Sequence, residues 1–79
     1  MTTKLANDVN VTGNRLSAIL ADRKLTQAQL GRSSGVNVAK INYIAKERVR
    51  IISSVTATLI SVSLRVPVDE LFPNARLRP

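Results

Sequence analysis

Apolar residues stand five positions apart at three places in this chain, each pair astride a small polar residue: Val11 and Leu16 around Thr12, Leu25 and Leu30 around Thr26, Val36 and Ile41 around Asn37. In such an arrangement the polar side chain caps free amides of a helix's first turn, and the apolar pair closes over it as a staple. The pattern predicts helix starts at Thr12, Thr26 and Asn37. Leu16, Ile19 and Leu20 continue the first helix at helical spacing. The second start carries a fuller signal, because "TQAQ" at residues 26–29 is a capping box in which Thr26 and Gln29 satisfy backbone donors reciprocally. Gly35 supplies the left-handed residue that ends the second helix, and Asn37 follows at once to open the third.

The second half is less decisive. "AKERVRI" reads as a basic loop carrying Lys46, Arg48 and Arg50. "SSVTATLISVSLRV" has the β-branched content and near alternation of a strand. Val55, Leu59, Val62 and Val66 equally mark one helical stripe, which Ser53 or Ser54 can cap. Local pattern leaves both open, and Pro67 ends either. "VDELF" reads as a single helical turn. Residues 1–10 are expected to form a flexible N-terminal arm, residues 11–73 one domain, and residues 74–79, with Arg76 and Arg78, a basic C-terminal tail.

Composition narrows the possibilities. A chain of 79 residues holds one small domain that buries only about 60–65% of its unfolded surface, so its stability is marginal. Cys and His are both absent, which removes disulfides and the usual zinc ligands and leaves association with a second copy as the available support. Twelve Lys and Arg against five Asp and Glu give a net charge of +7. That balance favours a polyanionic partner, nucleic acid ahead of membrane, although charge also serves solubility. No apolar run approaches the length of a bilayer span, and the polar N-terminus lacks a secretory core. The expected setting is cytoplasmic, nucleoid-associated, with no membrane partner and no cofactor or metal.

Residues 27–46 resemble the helix-turn-helix of Cro/repressor-type, or XRE family, DNA-binding domains. The resemblance is carried by "LTQAQL", Gly31, Gly35 with Val36, and Ile41 with Ile44. Gly31 falls where the two helices cross most closely, Gly35 makes the sharp turn, and Val36 and Ile41 wedge the second helix against the first. "VPVDELF" is similar to the family's closing turn, so the likeness extends over about residues 16–72. It implies an all-α, five-helix lambda-repressor-like bundle, with residues 53–66 helical. The chain departs from the family pattern at Leu20 and Ala45, where an Arg and an acid are often paired. Losing both charges together is compatible with an intact fold, whereas losing one would strand the other. The loop after the third helix is one residue longer than usual and lacks the frequent Gly and Pro, and Pro67 stands where a capping Ser or Thr is common.

The same resemblance implies that the third helix enters the major groove of double-stranded DNA. Val38, Ala39 and Tyr43 then face bases, flanked by Lys40 and Asn42. Val38 and Ala39 suit thymine methyl groups, Lys40 a guanine edge or a phosphate, Asn42 a phosphate or bridging water, and Tyr43 a methyl or a phosphate. Helix packing is the competing role for Val38 and Ala39, and a half-buried core position for Tyr43, the chain's sole Tyr. Gln27, Asn37, Lys46, Arg48 and Arg50 are the phosphate candidates, and Lys4 is placed to follow a groove. One such helix reads about four or five base pairs, and paired recognition helices sit about 34 Å apart on DNA, so a homodimer is expected. Ile60, Val62, Leu64, Val66, Leu71 and Phe72 hold more apolar surface than one small core obviously needs, and are expected to supply the two-fold interface unless all are core.

The leading expectation is a sequence-specific transcriptional regulator, a repressor on a palindromic operator. With no sensing domain in 79 residues, control would come through its own concentration or a protein co-regulator. That suits a phage Cro-like or immunity switch, a plasmid or restriction–modification controller, or an antitoxin-type autoregulator. The alternative is a protein-interaction module or antitoxin-type partner binder that keeps the fold without strong operator reading, favoured by the apolar Val38 and Ala39. Catalysis is not expected: without His or Cys, the acids Asp8, Asp22, Glu47, Asp69 and Glu70 form no convincing pair, and no spacing supports Ser–Lys chemistry.

Overall fold

The computed structural model describes residues 8–75. Their order is β1 (Asp8–Asn10), α1 (Leu16–Arg23), α2 (Gln27–Ser34), α3 (Val38–Ala45), β2 (Ile51–Ser53), α4 (Ser54–Leu64) and α5 (Val68–Leu71). The described residues are mostly helical, with a small two-stranded sheet added to five helices.

The capping signals hold for α2 and α3. The Gln29 amide donates to Thr26 Oγ1 at 3.0 Å, and the Thr26 amide donates to Gln29 Oε1 at 2.8 Å. Gly35 ends α2 at φ 79°, and the Asn37 side chain accepts from the Ala39 amide at 2.7 Å to open α3.

The start of α1 differs from the expectation at Thr12. The Thr12 hydroxyl donates to Asn10 Oδ1 at 2.7 Å, so it turns back toward β1 rather than forward to a helix amide. Gly13, at φ 68°, then reverses the chain, and Asn14 Oδ1 accepts from the Leu16 amide where α1 begins. Val11 and Leu16 still meet in the core, both fully buried, but across a turn instead of a staple.

The ambiguous segment is helical, with three residues of strand before it. Ser53 caps α4 by accepting from the Thr56 amide at 3.1 Å. Arg65, left-handed at φ 59°, stops the helix before Pro67 is reached, and Pro67 becomes the residue that opens α5. The buried stripe is Ala57, Ile60 and Leu64. Of the stripe expected from the sequence only Val66 is buried, while Val55, Leu59 and Val62 face outward. Helix was expected there from the resemblance and not from the local pattern, and its rotation was not legible: nearly every position is apolar or small, so several stripes fit equally.

β1 pairs with β2 antiparallel, with Asp8 opposite Ser53, Val9 opposite Ile52 and Asn10 opposite Ile51. Residues 8–10 therefore belong to the folded body and not to an arm. At the other end Ala75 packs against the core and Asn74 Nδ2 donates to the Thr12 carbonyl at 3.0 Å, which extends the domain two residues beyond 73. Lys4, Arg76 and Arg78 lie outside the described residues.

One core joins all the elements. It contains Leu16 and Leu20 from α1, Leu30 from α2, Ile41 and Ile44 from α3, and Ile60 and Leu64 from α4, closed by Leu71 and Phe72. Ile60, Leu64, Val66, Leu71 and Phe72 are thus core and not interface, and of the set expected at a two-fold contact only Val62 is exposed.

Candidate nucleic-acid interface

The site is built on α3, whose inner side fixes its outer one. Ile41 and Ile44 are fully buried and leave the helix little freedom to roll. Gly31 on α2 makes the close approach possible: a Cβ there would lie 3.2 Å from the Val36 carbonyl oxygen and 3.6 Å from Val38 Cβ. The C-terminal end of α3 is also tied down. Asn14 Nδ2 donates to the Ile44 carbonyl at 2.8 Å and to the Val11 carbonyl at 2.9 Å, and Ser17 Oγ donates to the Ala45 carbonyl at 3.4 Å. The Ile44 and Ala45 carbonyls belong to the last turn of α3, which has no i+4 amide of the helix to bond them.

With Ile41 and Ile44 inward, the period of the helix places Val38, Ala39, Lys40 and Tyr43 outward, and all four are exposed. Tyr43 is 50% exposed, which decides against a core aromatic, and Val38 is 46% exposed with its Cβ toward Gly31. Asn42 is half-buried and faces sideways: its Nδ2 donates to Gln27 Oε1 at 3.1 Å. Gln27 is the first residue of α2, so this bond couples the start of one helix to the middle of the other. Asn42 thereby positions Gln27 as well as facing any ligand itself.

The basic segment after α3 is clamped. The Arg48 amide donates to the Tyr43 carbonyl at 2.8 Å, the Glu47 amide to the Ile44 carbonyl at 3.0 Å, and the Val11 amide to the Arg50 carbonyl at 2.8 Å. Glu47 adopts φ 57° to allow the turn. Lys46, Arg48 and Arg50 project from this fixed backbone, all exposed. Between α3 and β2 runs an open groove of 640 Å³ lined by Asn37, Lys40, Tyr43, Ile51 and Ser53. The sequence reading missed the strand that forms its far wall and the role of Asn14. The turn-forming cluster "TGN" at residues 12–14 was the available signal.

Acidic charge is gathered elsewhere. Asp22, Asp69 and Glu70 line an 860 Å³ cleft between α1 and α5, beside Arg15 and Arg23. No residue of α3 or of the basic segment lines that cleft. Residues 38–50, α3 and the segment after it, carry Lys40, Lys46, Arg48 and Arg50 against Glu47, a field that attracts polyanions.

No family model, curated protein or solved structure matches this chain. What the surface can bind follows from its shape and charge. α3 presents a face with apolar tips and one lysine, bordered by cations on fixed backbone. No helix among the described residues is long and apolar enough to cross a membrane.

Proposed function

We propose that this protein is a sequence-specific, double-stranded-DNA-binding regulator of lambda-repressor-like architecture, acting as a homodimeric repressor. The observation that carries this reading is the split of α3, with Ile41 and Ile44 anchored in the core and Val38, Ala39, Lys40 and Tyr43 presented outward. The apolar pair contacts thymine methyl groups, Lys40 reaches a guanine edge, and Tyr43 lies against the groove wall. Gln27, held by Asn42, sits with the amides of the α2 N-terminus at one phosphate strand. Lys46, Arg48 and Arg50 grip the flanking backbone, which sets register and salt dependence more than sequence choice.

A gel-shift titration with duplexes selected from a random pool, at two salt concentrations, tests the reading. Specific binding that survives competitor DNA supports it, and weak, steeply salt-sensitive association with no preferred sequence contradicts it. Lys40→Ala is expected to weaken binding to the selected duplex about tenfold, corresponding to one base contact, and to weaken random DNA much less. Equal losses would make Lys40 a phosphate contact.

The exposure of Val38, at 46%, favours one other reading: an interaction module whose α3 docks on a protein. Selection that yields no preferred duplex is its expected outcome.

A further inference from the structure

We infer that two copies of this chain pair through the outward face of α4, antiparallel, about a two-fold axis beside Leu59; the inference deepens the dimer reading above by naming its surface. Val55, Leu59 and Val62 are 66%, 42% and 68% exposed, and Thr58 is exposed between them. These four stand at the i, i+3, i+4 and i+7 positions of a helix-pairing stripe. The opposite stripe, Ala57, Ile60 and Leu64, is already spent on the core, so the outward one has no partner within the described residues.

Charge selects the occupant. The chain carries +7, yet none of the residues of Ser54–Leu64 is charged. An acidic partner would be drawn to the cations beside α3, not to an uncharged helix. A second copy meets repulsion wherever cations face cations, and α4 against α4 lays two uncharged helices together, with Arg65 and the Arg23 guanidinium on the Leu64 carbonyl only at their ends. The spacing is self-complementary as well. In an antiparallel pair Val55 of one copy meets Val62 of the other, and Thr58 meets Leu59 on each side of the axis, so each contact occurs twice as an isologous interface requires. Thr58 is short enough to let the helix axes approach to about 8–10 Å.

The area sets the strength. The stripe runs about 10 Å along the helix and covers far less than the roughly 800 Å² per partner of a stable interface. The pair is therefore weak in free solution and is completed on DNA, where adjacent half-sites raise the effective concentration.

Because the chain has no Cys, single cysteines report the contact cleanly. Leu59→Cys should cross-link to a dimer on mild oxidation at least about tenfold faster than Ala28→Cys, an exposed position on α2. The weight-average mass of the unmodified chain in sedimentation equilibrium should rise with concentration. Leu59→Lys or Val62→Lys, both at exposed positions, should keep the helical circular dichroism and melting temperature but remain monomeric. On DNA, Leu59→Lys should keep binding to a half-site and lose about tenfold or more on the full palindrome. A chain that stays monomeric to about 1 mM, or a Leu59→Cys variant no faster than Ala28→Cys, overturns the inference while leaving half-site binding to stand. Dimers that form through α4 without any DNA binding would instead remove the DNA reading and keep this one.

Discussion

Replacing Ile41 by Ala is expected to cost about 2–5 kcal/mol of folding stability. A 79-residue domain possesses roughly 4–12 kcal/mol in total, so the loss is a large share. Ile41 is fully buried at the crossing of α2 and α3, with its Cδ1 directed at Gly31. Gly31 has no side chain to move into the space, and Ile44 is held by the packing of the same helix, so little collapse can refill the cavity. Urea denaturation would show the midpoint fall at unchanged slope. DNA binding should disappear at 37 °C and return on cooling, because α3's outer residues are untouched. Val38→Ala on the same helix, at an exposed site, should move stability by less than about 0.5 kcal/mol. A cost below about 1 kcal/mol for Ile41→Ala would mean that α3 is not anchored as described.

The second large effect concerns charge. Replacing Arg48 and Arg50 together by Ala should weaken binding to every duplex alike, by about one to two orders of magnitude at low salt, and flatten the slope of log K against log salt by about 1.8. The figure assumes one phosphate for each arginine. Both residues are exposed, and their backbone is pinned by the bonds from Arg48 to Tyr43 and from Val11 to Arg50. Their backbone therefore needs little ordering when a phosphate arrives. Stability should hardly change, since neither side chain is packed. An unchanged slope in fluorescence-anisotropy titrations would take this segment out of the interface.

How much of this was legible before any coordinates varies by element, for physical reasons. α2 and α3 were plain, because their ends are set by local chemistry: a Thr–Gln box, a glycine at positive φ and an Asn cap act within four residues. The start of α1 was not, because Thr12 had two possible partners and the choice fell to Asn10, whose place depends on a strand pairing distant in sequence. The sheet was missed for the same reason. Three residues of β2 show no alternation of their own, and β1 gains its identity only from lying against them. In α4 the uniform apolar content hid which face is buried, so Val55 and Leu59 were read on one stripe with Val62 and Val66, and the core residues Ile60 and Leu64 were assigned to an interface. The outward face of α3 fared better. A helix with two inward isoleucines three residues apart has a definite rotation, and Val38, Ala39, Lys40 and Tyr43 fall outside it. Asn42 was the exception, since its bond to Gln27 joins residues fifteen apart.

On the proposed reading, the anchored third helix and the cations after it form one surface for duplex DNA. Amide chemical-shift mapping of the full chain during titration with duplex at low ionic strength tests it most directly. Gln27, the outward residues of α3 and Lys46, Arg48 and Arg50 should shift together, while Asp22 and Glu70 in the α1–α5 cleft stay in place. Shifts confined to that cleft, or none around α3, would contradict it.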